Sequence, residues 1–518
     1  MLGVVLGLIP LVVLFSGIIV LRWPVHKAGL LGVSLTMIIS YFYSGTSPVI
    51  LVYGWLYGIL IIHKYTLANM MSFILAFYML SHGCFEVIGN AFRRMPGGVV
   101  YKVYFLGFGI AILMLSAGAG IDWIAIVLNQ MGIGTWAIPI LIDGSCDAFS
   151  HFAYLSTPIT VPTAVYGGTF GFTEADLAGL IGRFAWVVIP LFGLAILVVL
   201  RRDGKVVTWK HAAAVLVYCL SLAAAVNFFL STVNIMGVGV LVGIYAVAVM
   251  FLVNVVGSRL GYLKPDDSLE PMTPEERGKL VRSLSPIVIV SVLTSVVSLP
   301  WFSSVLEQYN FNLPLIADQI IPVQVFQPFV WVMISILLSF LILRPTREKL
   351  EQTWSLLVKR LVPFVIATWI CSGMVFTYNW SGMVVNEANK LVLPAGMESL
   401  NLIHALAIAT SNLGPTLYVA LVPFMAVFGC MLFGHELTST LFFTRFHFIA
   451  ARSLGITRPL ILVAGHMVAN LGIVDVRKMM RSLAIIGAYG EEWKTMRFTF
   501  VMGLVITLLI IPLLFILF

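Results

Sequence analysis

Charge is scarce in this sequence. Of 518 residues only 10% are Asp, Glu, Lys or Arg, while 60% are hydrophobic and mean hydropathy is +1.04. Soluble domains carry about 25% charged residues, so a chain of water-soluble domains is excluded. Cysteine is scarce too. The five cysteines are scattered, and Cys219, Cys371 and Cys430 sit inside apolar runs, which gives neither a disulfide framework nor metal-ligand spacing. Acidic residues number 22 against 30 basic ones, for a net charge of +8. The basic residues cluster in short loops, a positive-inside signal rather than a nucleic-acid surface. The first apolar run, residues 1–21, lacks the basic start of a cleaved leader and reads as a membrane helix that begins outside.

What is present is one long apolar run after another. Only helices or closed barrels satisfy their backbone within lipid, and these runs have helical length. The reading is an all-α polytopic membrane protein of about 11–14 transmembrane helices. It has two related halves, read as inverted repeats with re-entrant hairpins. Residues 1–260 form the N-terminal half, with a hairpin near 103–128. Residues 261–283 form a cytoplasmic linker, and 284–518 form the C-terminal half, with a hairpin near 417–451. Arg93-Arg94, Arg201-Arg202 and the segments 259–282 and 344–360 read as cytoplasmic. Even numbers of crossings separate them if 103–128 turns back. The stretch 51–62, short and carrying Tyr53, Trp55 and Tyr57, reads as an interfacial helix. In the linker, Thr273-Pro274-Glu275-Glu276 has the form of a capped helix start. Gly132-Ile133-Gly134-Thr135 before Pro139 is echoed by Gly455-Ile456-Thr457 before Pro459, which supports a duplication.

Four stretches can carry chemistry. The first is Gly434-His435-Glu436-Leu437-Thr438-Ser439-Thr440, with apolar runs on both sides. Polar groups at membrane depth usually line a cavity or a path, and a glycine ahead of hydroxyls suits a helix that breaks and restarts. Its downstream partner, Gly465 to Gly472, also interrupts an apolar run, and the bland alternative there is a helix end with basic anchors. The second is Leu115-Ser116-Ala117-Gly118-Ala119-Gly120-Ile121-Asp122, otherwise a small-residue helix contact. The third runs from Asp143 through Asp147 to His151. These sit at i, i+4 and i+8, one face of a helix that can relay protons or hold a cation; the alternative is a solvated loop. The fourth, Tyr378-Asn379-Trp380-Ser381-Gly382, reads as a capped helix end with Trp380 in the aromatic belt, and also matches a weak glycosylation sequon.

An enzyme is less favoured. His435-Glu436 lacks the second histidine of His-Glu-x-x-His, since Ser439 holds that place. A membrane acyltransferase built on His404, His435 or His466 shows no nucleophile or acceptor pocket.

The order of these stretches resembles the L-lactate permease family. The pieces are Val52-Tyr53-Gly54-Trp55-Leu56-Tyr57-Gly58, Gly107-Phe108, residues 115–120, Thr157-Pro158-Ile159, Gly182-Arg183-Phe184, Asn379-Trp380-Ser381-Gly382, residues 434–440 and Ser482-Leu483-Ala484-Ile485. They run in order across nearly the whole chain. The chain departs from the family pattern in having Ser116 where a glutamate heads the first Gly-Ala stretch, and Glu436 where an aspartate stands. Val468-Ala469-Asn470-Leu471-Gly472 replaces an Asn-Thr-Thr-Gly-Gly segment.

The resemblance implies a multi-pass cell-membrane symporter of a small 2-hydroxy monocarboxylate such as lactate or glycolate, driven by protons. The alternatives are sodium coupling or a different organic anion. It implies two hairpins meeting near the bilayer midplane. Ser116, Gly118, Thr157, Asn379, Ser381, Gly434, Thr438, Ser439 and Thr440 are the expected substrate groups. Asp122, Asp143, Asp147, His151, His435 and Glu436 are the expected coupling groups. No cofactor, metal or nucleic acid is expected, and a homodimer is open.

Overall fold

Runs of Leu, Ile, Val and Phe in lipid must pair every N–H within the segment, so they fold as helices. The computed structural model describes residues 2–21, 23–116, 121, 123–147, 149–233, 235–264, 270–297, 300–433, 435–470, 482–483, 485–488 and 492–517. The N-terminal half begins with α1 (Leu2–Phe15), α2 (Val25–Phe42), α3 (Pro48–Ile61), α4 (His63–Ser81) and α5 (Cys84–Arg94). It continues with α6 (Val99–Ser116), α7 (Trp123–Gln130), α8 (Ile138–Asp147), α9 (Ala153–Phe170), α10 (Glu174–Arg202), α11 (Trp209–Thr232) and α12 (Ile235–Arg259). The C-terminal half has α13 (Pro274–Val297), a hairpin of β1 (Phe311–Ile316) and β2 (Gln319–Val323), α14 (Pro328–Leu343) and α15 (Arg347–Asn379). A two-residue ladder, β3 (Val384–Val385) with β4 (Leu391–Val392), leads to α16 (Leu402–Ser411), α17 (Pro415–Phe433), α18 (Glu436–Ser453), α19 (Pro459–Asn470) and α20 (Glu492–Leu517). Among the described residues nine helices are long and apolar enough to cross a bilayer, or ten with α3 and α4 as one bent span.

The helix start expected at Thr273 forms. Thr273 Oγ1 accepts from the Glu276 N–H at 3.2 Å, and Glu276 Oε2 accepts from the Thr273 N–H at 2.8 Å. Glu276 also pairs with Arg94 at 2.9 Å, and Gly97 N–H donates to the Lys264 carbonyl. The segment expected to be linker is therefore helical from Pro274 onward. On the same face, beyond the α11–α12 pair, Lys205 bonds the Gly132 carbonyl and Arg202 lies over Phe498. The chain thus returns toward its starting face between Gly97 and Gly132: α6 leaves that face and α7 ends on it.

The stretch 51–62 is not interfacial. Ser47 caps α3 and Pro48 opens it. Leu51, Tyr57 and Ile61 are buried. At Gly58 a Cβ would stand 2.8 Å from the Gly373 Cα of α15 and closer still to the Ser372 carbonyl. Only a residue without Cβ lets the two backbones approach this closely. The aromatics pack inward: Tyr57 meets Phe376 and Trp380 at 4.8 and 5.2 Å between ring centroids. Trp380, expected in the aromatic belt, is accordingly buried. After Ile61 the chain bends by 51° into α4.

Candidate functional site

α17 and α18 pack on each other, and the break between them is buried. The restart is capped by an unusual group: His435 Nδ1 accepts the Leu437 N–H at 3.1 Å, and the His435 carbonyl accepts the Ser439 N–H. The first-turn N–H groups expected to hold an anion are thus partly taken by the histidine. The following hydroxyls face neighbouring helices. Thr438 Oγ1 lies 3.2 Å from Ser372 Oγ, and Ser439 Oγ lies 3.1 Å from His466 Nε2. Thr440 Oγ1 accepts from Asn470 Nδ2 at 3.4 Å. Glu436 is buried in the first turn, and the His435 ring lies 4.3 Å from that of Tyr65 at the α3–α4 bend.

The structure gathers Glu436, Thr438, Ser439 and Thr440 in the first turns of α18, and sets Asn379 and Ser381 at the end of α15. Ser116 ends α6, where its Oγ and the Phe152 carbonyl crowd Gly239 of α12. The helix expected to carry Asp143, Asp147 and His151 along one face stops at Asp147; His151 follows on a separate 3-10 turn, buried. The i, i+4, i+8 face therefore does not form. Helix α9 packs against both α6 and α18 and so links the two regions. Gly118, Asp122 and Gly434 lie outside the described residues, as do the side chains of Asp143, Asp147 and Thr157.

The largest of the cavities described, about 1140 Å³, lies beyond the other end of α18. Tyr166 of α9, Asn379 and Trp380 at the end of α15, His404 of α16, and Arg445 and Arg452 of α18 line it. Arg445 was not among the residues expected to act. Its Nη1 donates to the Asn379 carbonyl, and among the described residues no carboxylate pairs with it. Arg445 is half-buried, and a guanidinium partly withdrawn from water is stabilised by an anion and hydrogen bonds.

Beside it the amide of Asn379 has a fixed orientation. Tyr166 Oη donates to the Leu441 carbonyl at 2.7 Å, so its oxygen can only accept from Asn379 Nδ2, also at 2.7 Å. That leaves Asn379 Oδ1 buried with no hydrogen-bond partner among the described residues. Ser381 is committed instead: its Oγ donates to the Tyr378 carbonyl and accepts the Leu402 N–H. Asn401 Nδ2 bridges the carbonyls of Asn379 and Ser381, and Gly382 closes the turn at φ +73°. This fourth stretch is a helix end, as expected, and Asn379 also faces the cavity. Being 1% exposed, Asn379 is no glycosylation site.

The family model described as L-lactate permease matches residues 3–518. The chain belongs to the L-lactate permease family. This permease is similar to glycolate permease GlcA of Escherichia coli (strain K12), at 21% identity over 549 aligned residues. The alignment covers 96% of this chain and 92% of that protein. Membership makes the chain a multi-pass membrane transporter. Among this permease's described residues no cluster of His, Cys, Asp or Glu has metal-binding geometry.

Proposed function

We propose that this permease is a secondary active transporter of a small 2-hydroxy monocarboxylate, lactate or glycolate, moved together with a proton. The observation that carries the reading is Arg445, a cation on a cavity wall with no carboxylate partner among the described residues. A carboxylate fits a guanidinium with two parallel hydrogen bonds. A 2-hydroxyl beside it has an acceptor in Asn379 Oδ1. The relative's name, a glycolate permease, names an acid of this kind.

The cavity opens on the face opposite the Arg94–Glu276 and Arg202–Phe498 ends, which the positive-inside signal makes external. The α17–α18 hairpin, with His435 at its restart, enters from that side, and the α6–α7 pair enters from the other. Two re-entrant hairpins of opposite direction suit alternating access. The echoed turns before Pro139 and Pro459 then mark equivalent places in the two halves. An anion crossing against the membrane potential needs a compensating positive charge, and a co-transported proton supplies it. Glu436, buried at the break, is the first candidate carrier; Asp122, Asp143, Asp147, His151 and His435 are the others.

Uptake of labelled glycolate into proteoliposomes tests this. The reading expects accumulation that follows an inward proton gradient and is unchanged when choline replaces sodium. Glu436→Gln is expected to stop or uncouple it. A mutant that still follows the gradient like the parent removes Glu436 from the coupling role.

A further inference from the structure

A second polar system lies inside the α17–α18–α19 bundle, and the anion site does not use it. Tyr418 of α17, His447 and Ser439 of α18 and His466 of α19 are all at most 1% exposed. Tyr418 Oη stands 2.7 Å from His447 Nδ1, His447 Nε2 stands 3.1 Å from His466 Nδ1, and His466 Nε2 stands 3.1 Å from Ser439 Oγ. Ser439 Oγ continues to Asn470 Oδ1 at 3.4 Å.

Every ring nitrogen in this chain has a partner. A neutral imidazole has one N–H and one lone pair, so the chain closes in two polarities. In one, Tyr418 donates to His447, His447 to His466, and His466 to Ser439. In the other, each donor becomes the acceptor. A proton taken up at Tyr418 and one released at Ser439 convert the first into the second. Each link breaks one O–H or N–H bond and makes another, and nothing is oxidised or reduced.

The chain also has direction and reach. Tyr418 lies one residue past the exposed Pro415, Thr416 and Leu417 at the outer end of the hairpin. Ser439 stands in the first turn of α18, three residues from Glu436 and so on its face of the helix. Ser439 and His447 are separated by roughly 12 Å along the axis at the α-helical rise. Around the chain, α17 contributes Tyr418, α19 His466 and Asn470, α9 Tyr166, and α15 Ser372 and Asn379. Helix α16 contributes His404, and α18 itself carries Glu436, Arg445 and Arg452. Among the described residues no charged side chain bonds any member of the chain.

We propose that Tyr418, His447, His466 and Ser439 form a proton wire between the outer end of this hairpin and the helix break, delivering the coupling proton to Glu436. The proposal rests on the proton-symport reading above. The alternative is a satisfied polar core that only staples three helices.

Two assays on His447→Gln and His466→Gln in proteoliposomes separate them: glycolate accumulation under an imposed proton gradient, and glycolate counterflow at equal pH. A wire predicts that accumulation is lost while counterflow persists, because exchange needs no net proton transfer. Tyr418→Phe keeps the ring and cuts the end of the chain, so it is expected to do the same and decides the matter if the histidine variants fail to fold. Folded variants that keep gradient-driven accumulation overturn the wire. So do folded variants that lose both assays together. A parent protein indifferent to the proton gradient overturns the symport reading itself, and the wire with it, before any variant is made.

Discussion

The Arg445 guanidinium donates to the backbone carbonyl of Asn379, the last residue of α15, while the Asn379 side chain donates to Tyr166. Three helices thus fix one cation at the wall of the cavity. Tyr166 spends its own proton on the Leu441 carbonyl, and this is why Asn379 Oδ1 has no partner among the described residues.

Replacing Arg445 removes the charge proposed to pair with the carboxylate. Hydrogen bonds to charged groups contribute about 1.5–3 kcal/mol each, so Arg445→Gln is expected to raise the glycolate KM by about 100-fold. Arg445→Lys keeps the charge without the planar fork and is expected to recover only part of this. Initial rates of uptake over a range of glycolate concentrations give the comparison.

Selectivity for the 2-hydroxyl is assigned to Asn379. In Asn379→Leu the acceptor is gone, and the preference for lactate over propionate is expected to fall by about tenfold, the value of one neutral hydrogen bond. Competition of each acid against labelled lactate measures it. Propionate already competing as well as lactate in the parent would remove the assignment.

The α3–α15 contact is expected to be intolerant of bulk. Gly58→Val places a side chain against Ser372 and Gly373, and overpacking of this kind costs about 1–3 kcal/mol. A lowered midpoint in detergent thermal unfolding checks it. Gly278→Val, at a position with open space, is the control.

At the mouth of the cavity, Asp318 in the β1–β2 turn accepts the Leu391 N–H of β4 at 3.0 Å and the Gln319 amide at 3.0 Å. Partial burial works to raise its carboxyl, but the Leu391 N–H and the Gln319 amide outweigh it and hold it below the usual range. A lowered value in the joined state means the join is present at neutral pH and lost as pH falls through that lowered value. Spin labels at Ala317 and Lys390 are therefore expected to separate in acid. In Asp318→Ala they are expected to be apart at all pH.

How much of this was legible follows from what each signal depends on. The membrane class, the α13 start at Thr273 and the helix restart at His435 came from local chemistry: apolar length, a capping box, a glycine before polar residues. The stretch 51–62 misled because its aromatics look interfacial, whereas Gly54 and Gly58 are flat surfaces for α15. Asp143, Asp147 and His151 misled because spacing implies a shared face only if the helix continues, and it ends at Asp147. Arg445 went unmarked although an arginine inside the apolar run 437–451 was visible. Its importance depends on what it lacks among the described residues, a carboxylate partner, and only the packing shows that. His447 was likewise visible, but its link to His466 crosses two helices.

The claim that the substrate's carboxylate sits on Arg445 is tested most directly by a structure of the permease with glycolate bound. The account predicts density for the acid in the cavity, with its carboxylate within hydrogen-bond reach of the Arg445 guanidinium and its hydroxyl toward Asn379 Oδ1. Density for the acid elsewhere, with the Arg445 guanidinium untouched, would contradict it.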